Sequence, residues 1–223
     1  MPRIARLVVT DYPYHITQRG NYRQEVFVTD DDYRFYLRHL NEYQEKYGLS
    51  VLLYCLMPNH VHFLAIPREK DSLAKTFNAA HMRYAHYYNN KNGLVGHLWQ
   101  GRFYSCVLDE EHIIAAARYI ENNPVRAKLV EKAWDWKWSS AREHVFGKEK
   151  GILELSDISR YIDVKDWKYF LSQKEEKRII DSIKSNTLTG RPSGNEAFVS
   201  RLENITGKRL KALPHGRPRK MKK

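Results

Sequence analysis

The chain has 223 residues, with 38 lysines and arginines against 26 aspartates and glutamates, so its formal net charge at pH 7 is +12. Hydrophobic residues make up 42% and aromatic residues 13%, which excludes a largely disordered chain. Positive charge attracts phosphates and aromatic rings stack on bases, so the composition favours a nucleic-acid partner over an acidic small molecule. No apolar run approaches the roughly 18 residues of a membrane span, and we expect a cytoplasmic protein without a membrane partner. Cys55 and Cys106 lie in apolar or aromatic stretches, which predicts two buried thiols and no disulfide.

The hydrophobic periodicity up to about residue 130 predicts seven elements in the order β-α-β-β-α-β-α. They cover residues 12–20, 30–47, 49–57, 60–67, 71–90, 98–108 and 109–122. Two β-α-β crossovers around a central hairpin describe a ferredoxin-like antiparallel sheet, which belongs to the α+β class.

A helical, basic extension is expected to follow this sheet. Short helices are predicted after Ser140, twice within residues 157–185, and at 195–205, with a turn-rich linker at 189–194. Residues 208–223 contain eight lysines and arginines and no acid, a pattern typical of a solvated arm. Arg217 and Arg219 would also suit an A·T-rich minor groove. We therefore predict a catalytic domain at 1–130 and a helical extension with a basic DNA-binding tail at 131–223.

A pair of histidines begins the second strand of the predicted hairpin. His60 and His62 alternate along a strand, so both point to the same face and could bind a divalent metal ion with open coordination positions. Ten histidines in 223 residues give about 0.4 such pairs by chance. The spacing alone favours an inert, hydrogen-bonded pair.

A tyrosine near the end of the third helix is a second candidate for chemistry. Tyr119 lies beside the core stripe of this helix, and the small Ala115 and Ala116 leave its ring little covered. An uncovered phenol beside a metal site could act as a nucleophile, although an ordinary amphipathic tyrosine is the simpler interpretation. Asn123 would share a face with Tyr119 if the helix continued, but Pro124 interrupts it.

Four segments carry a resemblance to a known family. They are residues 14–20 (YHITQRG), 57–62 (MPNHVH), 119–127 (YIENNPVRA) and 138–140 (WSS). In this order and combination the chain resembles the single-tyrosine HUH transposases, and their REP-associated tyrosine transposase branch most closely. The resemblance covers roughly residues 1–145.

The resemblance implies a metal-dependent enzyme that nicks and joins single-stranded or hairpin DNA through a 5′-phosphotyrosine intermediate. Carried over to this chain, Tyr119 is the nucleophile and His60, His62 and Asn123 are the metal ligands. The metal would be Mg²⁺ or Mn²⁺. Members of the family work as monomers or homodimers, and both states remain open here.

Basic and aromatic residues are expected to hold the strand. The candidate DNA-binding residues are Arg19, Arg23, Arg83, Arg102, Arg126, Arg217 and Arg219. The candidate stacking rings, each equally compatible with core packing, are Tyr84, Tyr87, Tyr88, Trp99 and Phe103. His15, another polar residue in a predicted strand, could neighbour the site, although a satisfied structural histidine is the simpler interpretation. The alternative function is a non-catalytic DNA- or RNA-binding regulatory protein with the same fold.

Overall fold

The computed structural model describes residues 7–147 and 151–211. The first part contains, in chain order, β1 (Tyr14–Arg19), α1 (Asp30–Lys46), β2 (Leu49–Met57), β3 (His60–Pro67), α2 (Ser72–Asn92), β4 (Tyr104–Val107), α3 (Glu110–Glu121), α4 (Asn123–Arg126) and α5 (Ala141–Phe146). The second part contains α6 (Trp167–Ser172), α7 (Lys177–Thr189) and α8 (Glu196–Thr206). None of the helices within these ranges is long and apolar enough to cross a membrane.

The four strands form one antiparallel sheet in the order β2-β3-β1-β4. This is the strand order of a ferredoxin-like sheet, and it confirms the predicted fold class. The β2–β3 hairpin has the predicted bounds. The strand predicted at 98–108 is wrong in length, because only Tyr104–Val107 pairs with β1. Gly101 adopts φ 103°, and the loop before β4 bonds the end of β1 from Gln100 N to Arg19 O (3.0 Å).

Helices cover both faces of the sheet. Helices α1 and α2 pack on one face over an aromatic core that includes Tyr36, Phe63 and Phe77. Four predicted stacking rings are also buried in this core, namely Tyr84, Tyr88, Trp99 and Phe103, so they are not available to bases. Their interpretation as stacking rings was wrong, because the buried stripe of α2 and the loop before β4 both face this core. Tyr87 is half-buried against Phe35.

The other face of the sheet is covered by α3 and the extension. Apolar side chains of α6 and α7, including Trp167, Phe170 and Ile183, share a core with α3 and strands β2 to β4. Residues 157–166 contain no helix, so the two helices predicted within 157–185 both begin later, as α6 and α7. Cys55 and Cys106 are buried in this layer and unpaired, as expected. The predicted domain boundary at residue 130 stays a prediction.

A buried carboxylate ties the extension to α3. Glu121 is fully buried, and its carboxylate accepts hydrogen bonds from Ser140 Oγ (2.5 Å), His144 Nδ1 (2.7 Å) and Trp167 Nε1 (2.6 Å). Burial alone would lower the pKa of His144, but the Glu121 carboxylate, together with Glu143 and a backbone hydrogen bond at Leu52, raises this pKa above its usual value. The carboxylate thus joins α5 and α6 to the end of the helix that carries Tyr119.

We expect Glu121→Ala to lower the free energy of unfolding by about 3 kcal/mol, because His144 Nδ1 and Trp167 Nε1 lose this acceptor, while Ser140 Oγ can still donate to Tyr54 O (3.2 Å). Chemical denaturation measures this loss. Glu111→Ala, at an exposed site in the first turn of the same helix, should cost less than about 1 kcal/mol. The ion-pair contribution should be fully present below the pKa of an unfolded histidine and decline as the pH rises through the raised pKa of His144. Equal losses in the two variants would contradict this role.

The tail lies mostly outside the described residues, which end at Lys211. Its first residues are held by α8, where Glu203 Oε1 accepts hydrogen bonds from Leu210 N (2.6 Å) and Lys211 N (3.1 Å). Arg217 and Arg219 fall outside the described residues, so their contact with a minor groove remains a prediction.

Candidate active site

The two histidines of the hairpin lie at one end of the sheet and face the extension. The turn at Pro58 and Asn59 brings His60 into register with Met57 on β2 and with Arg19 on β1. The ring centroids of His60 and His62 are 5.0 Å apart. His62 is buried and His60 is half-buried, so one imidazole is enclosed and the other lies nearer the surface.

Both imidazoles are held in the neutral form. Burial, with the positive charges of Arg19 and Arg126 as additional causes, lowers the pKa of His60 to about 3. Burial also holds the pKa of His62 well below its usual value, with His60 and His15 as additional causes. A neutral imidazole is the form that binds a metal ion.

Hydrogen bonds at Nδ1 leave the Nε2 atoms of both rings available. His60 Nδ1 is 2.5 Å from Asn59 Oδ1, and His62 Nδ1 is 2.9 Å from His15 Nε2. Within the described residues, neither Nε2 atom makes a hydrogen bond. This is the usual arrangement of metal-binding histidines, in which one ring nitrogen is oriented by a neighbour and the other carries the lone pair. The donor set therefore fits a divalent ion.

His15 belongs to this cluster, although a satisfied structural histidine is the simpler expectation from the sequence. It is satisfied, but its Nε2 is hydrogen-bonded directly to His62. The two rings are inclined by only 12° with centroids 5.1 Å apart, as a hydrogen bond in the ring plane requires. Burial lowers the pKa of His15 to about 3, so it is also neutral.

Tyr119 lies against the histidines from the last turn of α3. Its ring centroid is 5.7 Å from that of His62 and 6.3 Å from that of His15. Tyr119 is only 8% exposed, so the expectation of an uncovered ring was wrong. The guanidinium carbon of Arg126 is 4.1 Å and Lys184 Nζ is 5.1 Å from the ring centroid. Lys184 belongs to α7, whose packing on α3 is not encoded in the local pattern of α3.

Burial raises the pKa of Tyr119, while the charge of Arg126 acts in the opposite direction. Arg126 is fixed by two contacts, from Nη1 to Glu175 Oε1 (2.5 Å) and from Nη2 to Tyr119 O (2.6 Å). Two cations and a buried phenol thus meet at one place, where an anionic phosphate would be attracted.

Asn123 follows Tyr119 after a break in the helix. Helix α3 ends at Glu121, as the proline predicts, and α4 begins at Asn123. Asn123 is buried, and its Nδ2 has no hydrogen-bond partner among the described residues. An unpaired buried amide costs about 1–3 kcal/mol and is typical of a site with a role other than stability. A metal ion would bind the amide oxygen Oδ1 and not this nitrogen, so the ligand role of Asn123 stays a prediction.

The described residues contain no group of three histidine, cysteine or acidic side chains that could hold a metal ion. The predicted donors remain two imidazole nitrogens and the amide oxygen of Asn123. This small neutral set leaves coordination positions open and keeps the charge of the ion available to a phosphate.

The predicted DNA-binding arginines fall into different parts of the surface. Arg19, Arg23 and Arg102 flank the end of the sheet that carries His60. Arg83 is exposed on α2, on the opposite layer from Tyr119. Arg126 covers Tyr119. Among the predicted arginines within residues 7–147 and 151–211, the first three and Arg126 lie on the side of the molecule that carries the candidate site, and their contact with DNA stays a prediction.

Tyr22, in the turn after β1, is an exposed residue that the sequence pattern does not single out. It is 91% exposed and adopts φ 51°, and the next residue, Arg23, adopts φ 61°. Such conformations cost a non-glycine residue about 1–2 kcal/mol each. The turn is fixed by Asn59, whose Nδ2 donates to Arg23 O at 3.1 Å. It also requires Gly20, because a Cβ there would lie 2.5 Å from Gln24 O.

Comparisons with known proteins give relatives in both sequence and structure. The family described as "Transposase IS200 like" matches residues 8–123, just over half of the chain. A Haemophilus influenzae protein, provisionally named a REP-associated tyrosine transposase, is 25% identical over 164 residues, covering 61% of this chain and 88% of the relative. A solved REP-associated tyrosine transposase bound to a REP hairpin aligns with a TM-score of 0.53 and 19% identity, covering 71% of this chain and 93% of that structure. This last similarity supports the fold.

Proposed function

Because the chain belongs to the IS200-like transposase family, we propose that it nicks and rejoins single-stranded or hairpin DNA through a covalent bond between Tyr119 and a 5′ phosphate. The observation that carries this proposal is the packing of the Tyr119 ring 5.7 Å from His62, beside two neutral imidazoles and beneath two cations. A noncatalytic relative would have no need to keep these groups together.

Each residue of the candidate site has a separate role in this reaction. His60 and His62, through Nε2, and Asn123 would hold a Mg²⁺ or Mn²⁺ ion, which when bound polarises the scissile phosphate and offsets its developing charge. The Tyr119 oxygen attacks the phosphorus and its proton leaves to solvent or a nearby base. The bond from phosphorus to the 3′ oxygen breaks, and this oxygen takes up a proton from solvent to become a hydroxyl. Arg126 orients the phenol and attracts the phosphate. The phosphotyrosine bond keeps the energy of the phosphodiester, so another 3′-hydroxyl can reverse the step.

The proposed substrate is a DNA hairpin with a single-stranded flank. A related solved structure holds a REP hairpin, and the +12 charge of this chain favours a polyanion. A strand that must bend into line with Tyr119 has to be flexible, which favours single-stranded DNA beside the stem.

Incubation of a labelled hairpin with the protein and Mn²⁺, followed by denaturing electrophoresis, tests the proposal. We expect a covalent protein–DNA band that requires the divalent ion. A nicked product without a covalent band would indicate hydrolysis. Binding without any product would indicate a regulatory DNA-binding protein, and preference for RNA would indicate an RNA-binding module.

Tyr22 is a candidate for stacking on an unpaired base, because its ring is exposed beside Arg23 at the end of the sheet that carries His60. We expect Tyr22→Ala to weaken hairpin binding by about 1–3 kcal/mol, roughly 5- to 150-fold in Kd. Tyr22→Phe should bind like the wild type. Fluorescence anisotropy with a hairpin that has a single-stranded flank measures the change.

The matched control is Tyr169→Ala, at a tyrosine that is 65% exposed on α6. It should leave the Kd unchanged. If Tyr22→Ala and Tyr169→Ala bind equally well, Tyr22 has no stacking role.

A further inference from the structure

The metal-binding histidine His62 is connected to helix α7 by a chain of hydrogen bonds that crosses the interface between the sheet and the extension. Thr187 Oγ1 donates to Ile183 O within α7 at 2.7 Å. The same Oγ1 is 2.8 Å from His15 Nδ1, and His15 Nε2 is 2.9 Å from His62 Nδ1. All of these side chains are buried.

The direction of this chain follows from its fixed end. A backbone carbonyl can only accept, so the Thr187 hydroxyl proton points to Ile183 O. The oxygen then accepts from His15 Nδ1–H. A neutral imidazole carries one proton, so His15 Nε2 must accept, and the donor is His62 Nδ1–H. His62 is left with its lone pair on Nε2.

We infer that Thr187 and His15 are positioning residues for the metal site, because together they fix His62 in the tautomer whose Nε2 can bind a metal ion. This inference rests on the proposed function of His62 as a ligand. It assigns a role in the site to Thr187, which lies outside the family match at residues 8–123. The helical extension is then part of the active site, and its docking and the metal affinity are coupled.

The thiol of Cys106 also contacts the hydroxyl of Thr187. Its Sγ is 3.1 Å from Thr187 Oγ1 and 3.9 Å from Ile183 O. A thiol is a weak donor and acceptor, so it cannot replace the hydroxyl as the partner of His15. Burial raises the pKa of Cys106 to about 12, so it stays a neutral thiol. The arrangement therefore depends on the oxygen of Thr187.

The first test measures Mn²⁺ binding by the full chain without DNA, with electron paramagnetic resonance as the readout. We expect Thr187→Val to weaken Mn²⁺ binding by about 10-fold, since loss of a residue that orients a ligand typically costs 10- to 100-fold in affinity. Thr187→Ser restores the hydroxyl and should recover most of this loss. Thermal unfolding establishes that each variant is folded.

The matched control is Thr76→Val, because Thr76 is also buried and its Oγ1 donates to Tyr43 O on the opposite layer of the sheet. It should lower stability without changing the Mn²⁺ affinity. If Thr187→Val binds Mn²⁺ as tightly as Thr76→Val and the wild type, the inference is wrong while the metal site stands. If the wild type itself binds no Mn²⁺, the proposed metal-dependent function is contradicted, and the inference that rests on it is contradicted as well.

The second test needs no variant. ¹⁵N NMR of the metal-free protein reports which nitrogen of each imidazole carries the proton. We expect the proton on Nδ1 in both His15 and His62. A proton on Nε2 of His62 would overturn the inference, because the lone pair would then point away from the proposed metal position.

Discussion

Tyr119→Phe should abolish covalent attachment to DNA and lower the rate of cleavage by more than about 10³-fold, because it removes the oxygen that attacks the phosphorus. The ring remains, so the contacts with His62, Arg126 and Lys184 are kept. Hairpin binding should therefore stay within about threefold of the wild type, which is below 1 kcal/mol. Single-turnover cleavage of a labelled hairpin and a binding titration measure the two quantities separately.

Tyr12→Phe is a suitable control, since Tyr12 is a half-buried tyrosine that packs on Phe198, before the opposite end of β1. It should cleave and bind like the wild type. Continued formation of a tyrosine-linked product by Tyr119→Phe would show that another of the 15 tyrosines is the nucleophile.

His62→Ala should produce the second large effect. It removes one of two imidazoles from a small donor set, so we expect Mn²⁺ affinity to fall by at least about 100-fold and cleavage to fall with it. His60→Ala should act in the same direction. Titration of Mn²⁺ with activity as the readout, together with Mn²⁺ binding in the absence of DNA, distinguishes a lost ligand from a lost substrate contact.

The control for the histidines is His86→Ala, at an exposed position on α2. It should keep the metal response of the wild type. Full activity of the wild-type chain in the presence of a chelator would contradict the metal proposal, whatever the variants do.

The sequence predicts the fold well where local periodicity decides the element. The hairpin of β2 and β3 has its predicted bounds because two apolar runs are separated by Pro58 and Asn59, and both strands are buried on two sides. The strand predicted at 98–108 is longer than the observed β4, because aromatic residues such as Trp99 and Phe103 favour strands in general but here fill the core from a loop. Gly101, within this loop, adopts φ 103°, and its carbonyl accepts a hydrogen bond from Gln18 Nε2 (2.6 Å).

The candidate site could be predicted only in part, because it is assembled from distant segments. The spacing of His60 and His62 places them on one face of a strand, but nothing in that spacing indicates His15 or Thr187. His15 is 47 residues and Thr187 is 125 residues from His62 in the chain, and hydrogen bonds of 2.9 and 2.8 Å join the three. Lys184 reaches Tyr119 for the same reason. These contacts depend on how the extension packs on the second face of the sheet.

The conformation of Tyr22 could not be predicted from the sequence for a different reason. The segment after Gly20 is readily identified as a turn, but a left-handed conformation at a tyrosine is disfavoured by local sterics and cannot be read from composition. It is imposed by the hydrogen bond from Asn59 and by the close approach of Gln24 to Gly20. Exposure of the ring follows from that backbone conformation.

The most direct test of the central claim is the site of attachment in the covalent complex of the wild-type protein with a hairpin. After incubation with Mn²⁺, digestion with trypsin and nuclease leaves a nucleotide on one peptide, which mass spectrometry identifies. The proposed mechanism predicts a 5′-phosphotyrosine at Tyr119, in the peptide that ends at Arg126, and no such peptide when a chelator is present. A nicked strand with no modified tyrosine, or a modification at another tyrosine, would contradict it.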